Sequence, residues 1–258
     1  MRPYRQKLPD VTPVGADPAG AVATWLWRVE GDIRQTVEFV TARRLREVCV
    51  SVPLRGVDEK VAKLTHALRA KGIAVSCLGG DPMWAVEHDT ALNWAFRATT
   101  DAVFDGVHLD VEPWTLPGWP RGAPSLMASY AALVEEVAEV ASLAVDLAPW
   151  LADDHGDVVG QVAQQCDSVT VLAYRDNAEA ILAAAAGMIA LCDAAQTRFR
   201  IGVETQPPSP AVPDHITFGD DGQAAMEAAL AAVAEGIQSS QFDGFAVHHL
   251  GTWRTMRA

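Results

Sequence analysis

The sequence predicts a single-domain α/β protein folded as a (β/α)8 TIM barrel, and three observations lead there. Short runs of β-branched and other apolar residues alternate with longer Ala-, Leu- and Glu-rich stretches of helical period, the short runs number eight, and the chain is 258 residues long. Such alternation is what parallel strands joined by crossover helices produce. A chain of this length can close one barrel and bury a sizeable core without disulfides or a structural metal. The division expected is an extended N-terminal arm over 1–20 and the barrel over 21–258.

In chain order, the first strand is read over 22–28, where Val-Ala-Thr-Trp-Leu-Trp-Arg precedes Gly31, and a helix follows over 33–45. The Val-rich run 47–53 is the second strand, followed by a helix over 58–70. The third strand spans 73–79 with a helix over 84–101, and the fourth spans 106–112 with a helix over 125–141. Strand five, 143–148, leads to a helix over 157–165, and strand six, 168–174, to a helix over 178–195 in which Ala183 to Ala186 are simply good helix formers. Strand seven covers 200–204, a helix covers 220–239, and strand eight covers 244–248. Too few residues follow for a full eighth helix, so 251–258 is read as a short cap, with the N-terminal arm as the alternative cover for that side. An open doubly wound sheet would advertise a glycine-rich turn after its first strand, and Trp27-Arg28-Val29-Glu30-Gly31 is not one.

A formal net charge of −13 argues against binding a phosphate backbone, so no nucleic-acid partner is expected. The basic cluster Arg43, Arg44 and Arg46 is read as the last turn of a helix, where cations complement the helix dipole. No apolar segment approaches the ~20 consecutive residues of a bilayer span, so no membrane partner is expected. The first residues lack the apolar core of a secretory leader, which points to a cytoplasmic location. Cys49, Cys77, Cys166 and Cys192 are widely spaced and read as buried free thiols. No cofactor is expected.

Barrel enzymes work at the C-terminal ends of their strands, so polar residues there are where chemistry is sought. In Asp105-Gly106-Val107-His108-Leu109-Asp110-Val111-Glu112-Pro113-Trp114, the period of two sends Val107, Leu109 and Val111 to one face and His108, Asp110 and Glu112 to the other. The apolar set faces the helices, which leaves three ionisable side chains stacked toward the barrel axis. Crowded carboxyls of this kind shift one another's pKa and can keep one protonated at neutral pH.

This fourth strand resembles that of glycoside hydrolase family 18, the chitinase-like barrels, which read Asp-Gly-apolar-Asp-apolar-Asp-x-Glu. Asp105, Gly106, Asp110 and Glu112 match, and His108 stands where the family has an acid. The resemblance implies that Glu112 is the general acid and that Asp110 orients an N-acetyl group of the substrate, which itself acts as nucleophile. Leu172-Ala173-Tyr174-Arg175-Asp176 is similar to the family's Met-x-Tyr-Asp, which implies that Tyr174 contacts the acetamido group or the reacting centre. The eighth strand looks like the family's closing strand, with His248 in place of the Trp that floors the sugar subsite.

Other readings of the same residues stay open. Glu204 ends strand seven, and an acid on strand four with a nucleophile on strand seven is the retaining-glycosidase arrangement, so Glu204 competes with the substrate as nucleophile. His108, low in the barrel, is read as a core histidine orienting Asp110, and Asp146 as a partner of the site or a substrate-binding member. Of the eight tryptophans, Trp94 is assigned to helix packing, whereas Trp27, Trp114 and Trp253 are candidates for stacking on a sugar, with loop anchoring as the alternative. His108, Asp110, Glu112 and His248 would also suit a metal-assisted hydrolase. Against this, His248 and His249 point to opposite faces. The departures at His108 and His248 also admit a carbohydrate-binding barrel that has lost turnover.

Overall fold

The computed structural model describes residues 20–100 and 103–258, so the arm expected over 1–20 lies, but for its last residue, outside the described residues. Eight parallel strands close into a barrel in chain order: β1 (Ala21–Leu26), β2 (Glu47–Ser51), β3 (Ala74–Gly79), β4 (Gly106–Leu109), β5 (Leu143–Leu147), β6 (Ser168–Val171), β7 (Arg198–Glu204) and β8 (Phe242–His248). Around them run α1 (Ile33–Ala42), α2 (Glu59–Arg69), α3 (His88–Thr100), α4 (Trp119–Val140), α5 (Leu151–Gln165), α6 (Ala178–Ala195), α7 (Gln223–Gly236) and the four-residue α8 (Leu250–Trp253).

Every strand expected from the sequence is present, with several strands and helices ending two or three residues earlier than expected, and the largest differences lie at helix starts. The long third helix divides into a 3₁₀ turn, Pro82–Ala85, and α3, because Asp81 caps the turn through Met83 N. Helix α4 begins at Trp119 rather than near 125. Pro120 falls in its first turn, where backbone N–H groups have no helical partner to lose. Helix α5 also begins early, at Leu151, and bends at His155, whose φ of −141° and ψ of 30° leave the helical region.

The arginines after α1 are held by partners rather than by the helix dipole alone. Arg43 pairs with Glu227 at 3.2 Å and lies over the rings of Phe39 and Trp253, while Arg46 pairs with Asp243 at 2.8 Å. Helix α6 is long and apolar enough by composition to cross a bilayer. Here it is the crossover from β6 to β7, docked through Ile181, Ala185, Met188 and Cys192.

Two apolar clusters follow from strand alternation. The larger lies between barrel and helices, and the smaller, Val22, Ala23, Trp25, Cys49, Leu78 and Ala246, fills the lumen. All four cysteines are buried free thiols. Gly244, at φ +103°, allows the register shift where β8 meets β1, since a Cβ there would stand 2.8 Å from the side chain of Val22.

Candidate active site

The lumen is polar at both ends, with Trp25 between them. At the N-terminal end Glu47 accepts from Ser76 Oγ and Arg200 Nη1, both at 2.5 Å, and Arg200 also reaches Asp243 at 3.2 Å. Burial works against the charge on Glu47, but Arg200 outweighs it and holds the carboxyl down at about 2. In the middle, Trp25 Nε1 donates to Asp146 Oδ2 at 2.9 Å, His108 Nε2 meets Asp146 Oδ1 at 2.7 Å, and Cys49 Sγ lies 3.3 Å from His108 Nδ1.

The C-terminal end gathers Asp110, Glu112, Tyr174, Glu204 and His248. Asp110 continues β4, donating its N–H to Gly79 O at 2.9 Å. Gly80 permits this close approach, because a Cβ there would fall 2.3 Å from Asp110 O. Glu112 ends the extended stretch, and its carbonyl accepts from Thr115 N at 3.0 Å and Thr115 Oγ1 at 2.8 Å, which anchors it to the 3₁₀ turn Pro113–Thr115. Burial raises the Asp110 carboxyl well above its usual range. Asp146 and then Glu112 add to the rise, and His108 opposes it. Glu112 is raised by burial and by Asp146, with His248 pulling the other way. Burial also pushes the Tyr174 phenol up, as do Asp110, Asp146, Glu204 and Glu112, so four carboxyls act on this one hydroxyl.

His248 is fixed from two sides. Its Nδ1 lies 2.8 Å from Glu204 Oε2, and Trp27 Nε1 lies 2.8 Å from its Nε2. An indole N–H can only donate, so Nε2 is the acceptor and Nδ1 carries the hydrogen given to Glu204. The Tyr174 ring is tilted 35° to the imidazole at 5.9 Å, and Trp25 meets it edge-on at 5.6 Å.

Four expectations change. Glu204 is fully engaged as an acceptor: Oε1 accepts from Thr205 N at 2.7 Å and Gln206 N at 2.8 Å, and Oε2 from Gln206 Nε2 at 3.1 Å as well as from His248. Burial opposes its charge, but His248 and Gln206 outweigh it and keep the carboxyl low. His108 does not orient Asp110, because its ring nitrogens are engaged by Asp146 and Cys49. Asp146 is 1% exposed with both oxygens taken, so it does not bind substrate directly. Trp253 is 2% exposed and packs edge-on to Phe39 at 5.2 Å in the helix layer, away from the mouth.

Trp27 stands at the mouth, 36% exposed, and Trp114 packs edge-on to Trp150 at 5.8 Å, which also meets Trp119. Trp25 and Cys49 belong to the lumen network although their sequence context does not single them out. The signal was present: the same alternation that sends Asp110 inward sends both of them inward, on β1 and β2.

Among the described residues, the cluster of three possible metal ligands with donor atoms within 4.8 Å of one another is Glu47, Cys49 and His108, not the set drawn from His108, Asp110, Glu112 and His248. A cation at that cluster would face Arg200 and displace the Glu47 and Asp146 pairings. His249 is spent at the start of α8, where Nδ1 accepts from Gly251 N at 3.1 Å.

No protein-family model matches the sequence, and no curated protein matches it. Solved structures do. A putative alpha-L-fucosidase from Bacteroides thetaiotaomicron VPI-5482 superposes with a TM-score of 0.59 at 9% identity, over 92% of this chain and 90% of that one. The endo-beta-N-acetylglucosaminidase from Cordyceps militaris gives 0.57 at 13%, over 89% and 81%. The spore cortex-lytic enzyme SleL of Bacillus megaterium QM B1551 gives 0.56 at 11%, over 92% and 73%. What the chain shares with these proteins is the barrel fold.

Proposed function

We propose that the chain is a glycoside hydrolase-like barrel that cleaves a glycosidic bond, with Glu112 as general acid and Asp110 as its electrostatic and orienting partner. The observation that carries this reading is the pair of carboxyls at the barrel mouth whose protonated forms are favoured, Asp110 and Glu112, beside Tyr174. A proton donor for a leaving-group oxygen must hold its proton near neutral pH, and burial among like charges is how a carboxyl does so. The family 18-like motif ending in Glu112 supports it, as do barrels of the same fold named as an endo-beta-N-acetylglucosaminidase and an alpha-L-fucosidase.

The saturation of Glu204 favours a nucleophile supplied by the substrate. In that course the 2-acetamido oxygen attacks the anomeric carbon as the glycosidic bond breaks and Glu112 delivers its proton to the departing oxygen. Asp110 holds the acetamido N–H and faces the carboxylate left on Glu112. Water then opens the cyclic intermediate, with Glu112 taking the proton back. The substrate class is therefore a glycoside bearing a 2-acetamido group.

The test is hydrolysis of acetylated and non-acetylated aryl and oligosaccharide glycosides, with chelator present, by wild type and Glu112→Gln. Release of sugar from acetamido glycosides by wild type, lost in the variant, supports the proposal. Binding of a glycan without turnover would instead support the carbohydrate-binding reading that the imidazoles at His108 and His248 favour.

A further inference from the structure

The pair His108–Asp146 lies wholly inside the barrel, 1% exposed on both sides, and belongs to neither the lower ion-pair cluster nor the mouth. Its placement follows from register. Strands β4 and β5 run parallel with His108 opposite Ala144 and Leu109 opposite Val145, so Asp110 and Asp146 each follow the last paired residue of their strand by one. The hydrogen bonds then fix the orientation. His108, one layer below, donates upward to Asp146 Oδ1, and Trp25 Nε1 clamps Oδ2 from the opposite side of the lumen. An imidazolium below and a carboxylate above form a dipole whose negative end faces the mouth. Burial opposes the charge on His108, but Asp146 outweighs it and keeps the ring protonated well above its usual range.

We infer that Asp146, held in place by His108 and Trp25, is a positioning residue whose fixed carboxylate acts on Asp110 and Glu112 from beneath the mouth. The acid comes from the neighbouring strand β5, with the imidazole of β4 as its counter-charge. The inference rests on the proposed roles of Asp110 and Glu112. The groups facing the pair are Asp110 and Glu112 from the β4 end, Tyr174 beyond β6, Tyr130 from α4, and Cys49 and Glu47 from β2, with His248 of β8 facing Glu112.

The charge-pair account makes a signed prediction. Removing the carboxylate and removing the cation must move the Glu112 and Asp110 titrations in opposite directions, whereas loosened packing would move them together or not at all. Carboxyl titration by isotope-edited infrared or carbon NMR reads this in the folded protein and needs no turnover, so failure of the glycosidase reading and failure of this one are separable. In Asp146→Asn the Glu112 midpoint falls, and if the enzyme is active the alkaline limb of its pH profile falls with it. In His108→Gln, which can still donate to Asp146, the Asp110 midpoint rises. A midpoint that falls by one on the pH scale cuts the protonated fraction about tenfold on the alkaline side. Trp25→Phe removes one clamp, at the cost of a cavity where the second ring of the indole stood, and raises both midpoints, which keeps the test available if Asp146→Asn does not fold. Unchanged midpoints, or movements of one sign in Asp146→Asn and His108→Gln, overturn the inference.

Discussion

Glu47 at the lower end of the lumen and the pair Asp110 and Glu112 at its mouth are similar acids shifted in opposite directions. At the lower end Glu47 is wholly enclosed, yet Arg200 and Ser76 keep it ionised at about 2. At the mouth no arginine among the described residues pairs with Asp110 or Glu112, and burial with Asp146 drives both toward the protonated form. Depth alone therefore does not set the charge of a buried carboxyl. The nearest counter-charge does, and the barrel places its arginine only where structure is needed.

The largest effect that would break this contrast is Arg200→Met. It strands Glu47 without its cation, and urea unfolding should show a loss of about 3–5 kcal/mol. The acid side of the stability profile would change as well. Because the folded pKa of Glu47 lies below its ordinary value, its contribution is present above about pH 4.5 and fades as pH falls toward about 2, so this acid-labile component should vanish in the variant.

At the other end, Glu112→Gln should reduce turnover of an acetamido glycoside about 10²–10⁴-fold while leaving the unfolding midpoint near wild type. A comparable loss of stability would show instead that Glu112 is a structural acid like Glu47. Next in size is Trp253→Phe, which should cost about 1–2 kcal/mol by losing contact with Phe39 and Arg43, with no change in KM. The smallest effect is Asp110→Asn. The folded pKa of Asp110 is raised, so its charge costs stability as pH climbs, and the variant should be more stable at neutral pH by on the order of 1 kcal/mol. That gain should disappear below the usual carboxylate range, a signature that thermal unfolding at two pH values would detect.

Alternation was enough to find the barrel and the fourth-strand acids. Eight β-branched runs became eight strands, and the parity of the fourth pointed His108 inward, where it meets Asp146. What one sequence lacks is register between strands. Nothing in 106–112 says that His108 lies opposite Ala144 and within reach of Asp146, two residues further along β5, so its partner was taken from its own strand. Glu204 looked free because its four donors come from its own loop and from β8, which no periodicity reveals. Trp253 follows strand eight by a few residues, but α8 starts at once and turns the ring out to α1. The early starts of α4 and α5 were hidden by Gly122, Pro124 and Gly156, residues that speak against a helix in isolation and are tolerated where neighbouring packing supplies the stability.

Trp25 crosses the lumen far enough that a Cβ on Gly202 would stand 3.4 Å from the end of its ring. The barrel is thereby a blind well and not a tube. Nothing passes through the lumen from one end to the other, so the polar groups at the mouth and the ion pairs below Trp25 are reached from opposite sides. A ligand held at this mouth meets solvent from one face only, because the indole of Trp25 closes the floor behind it.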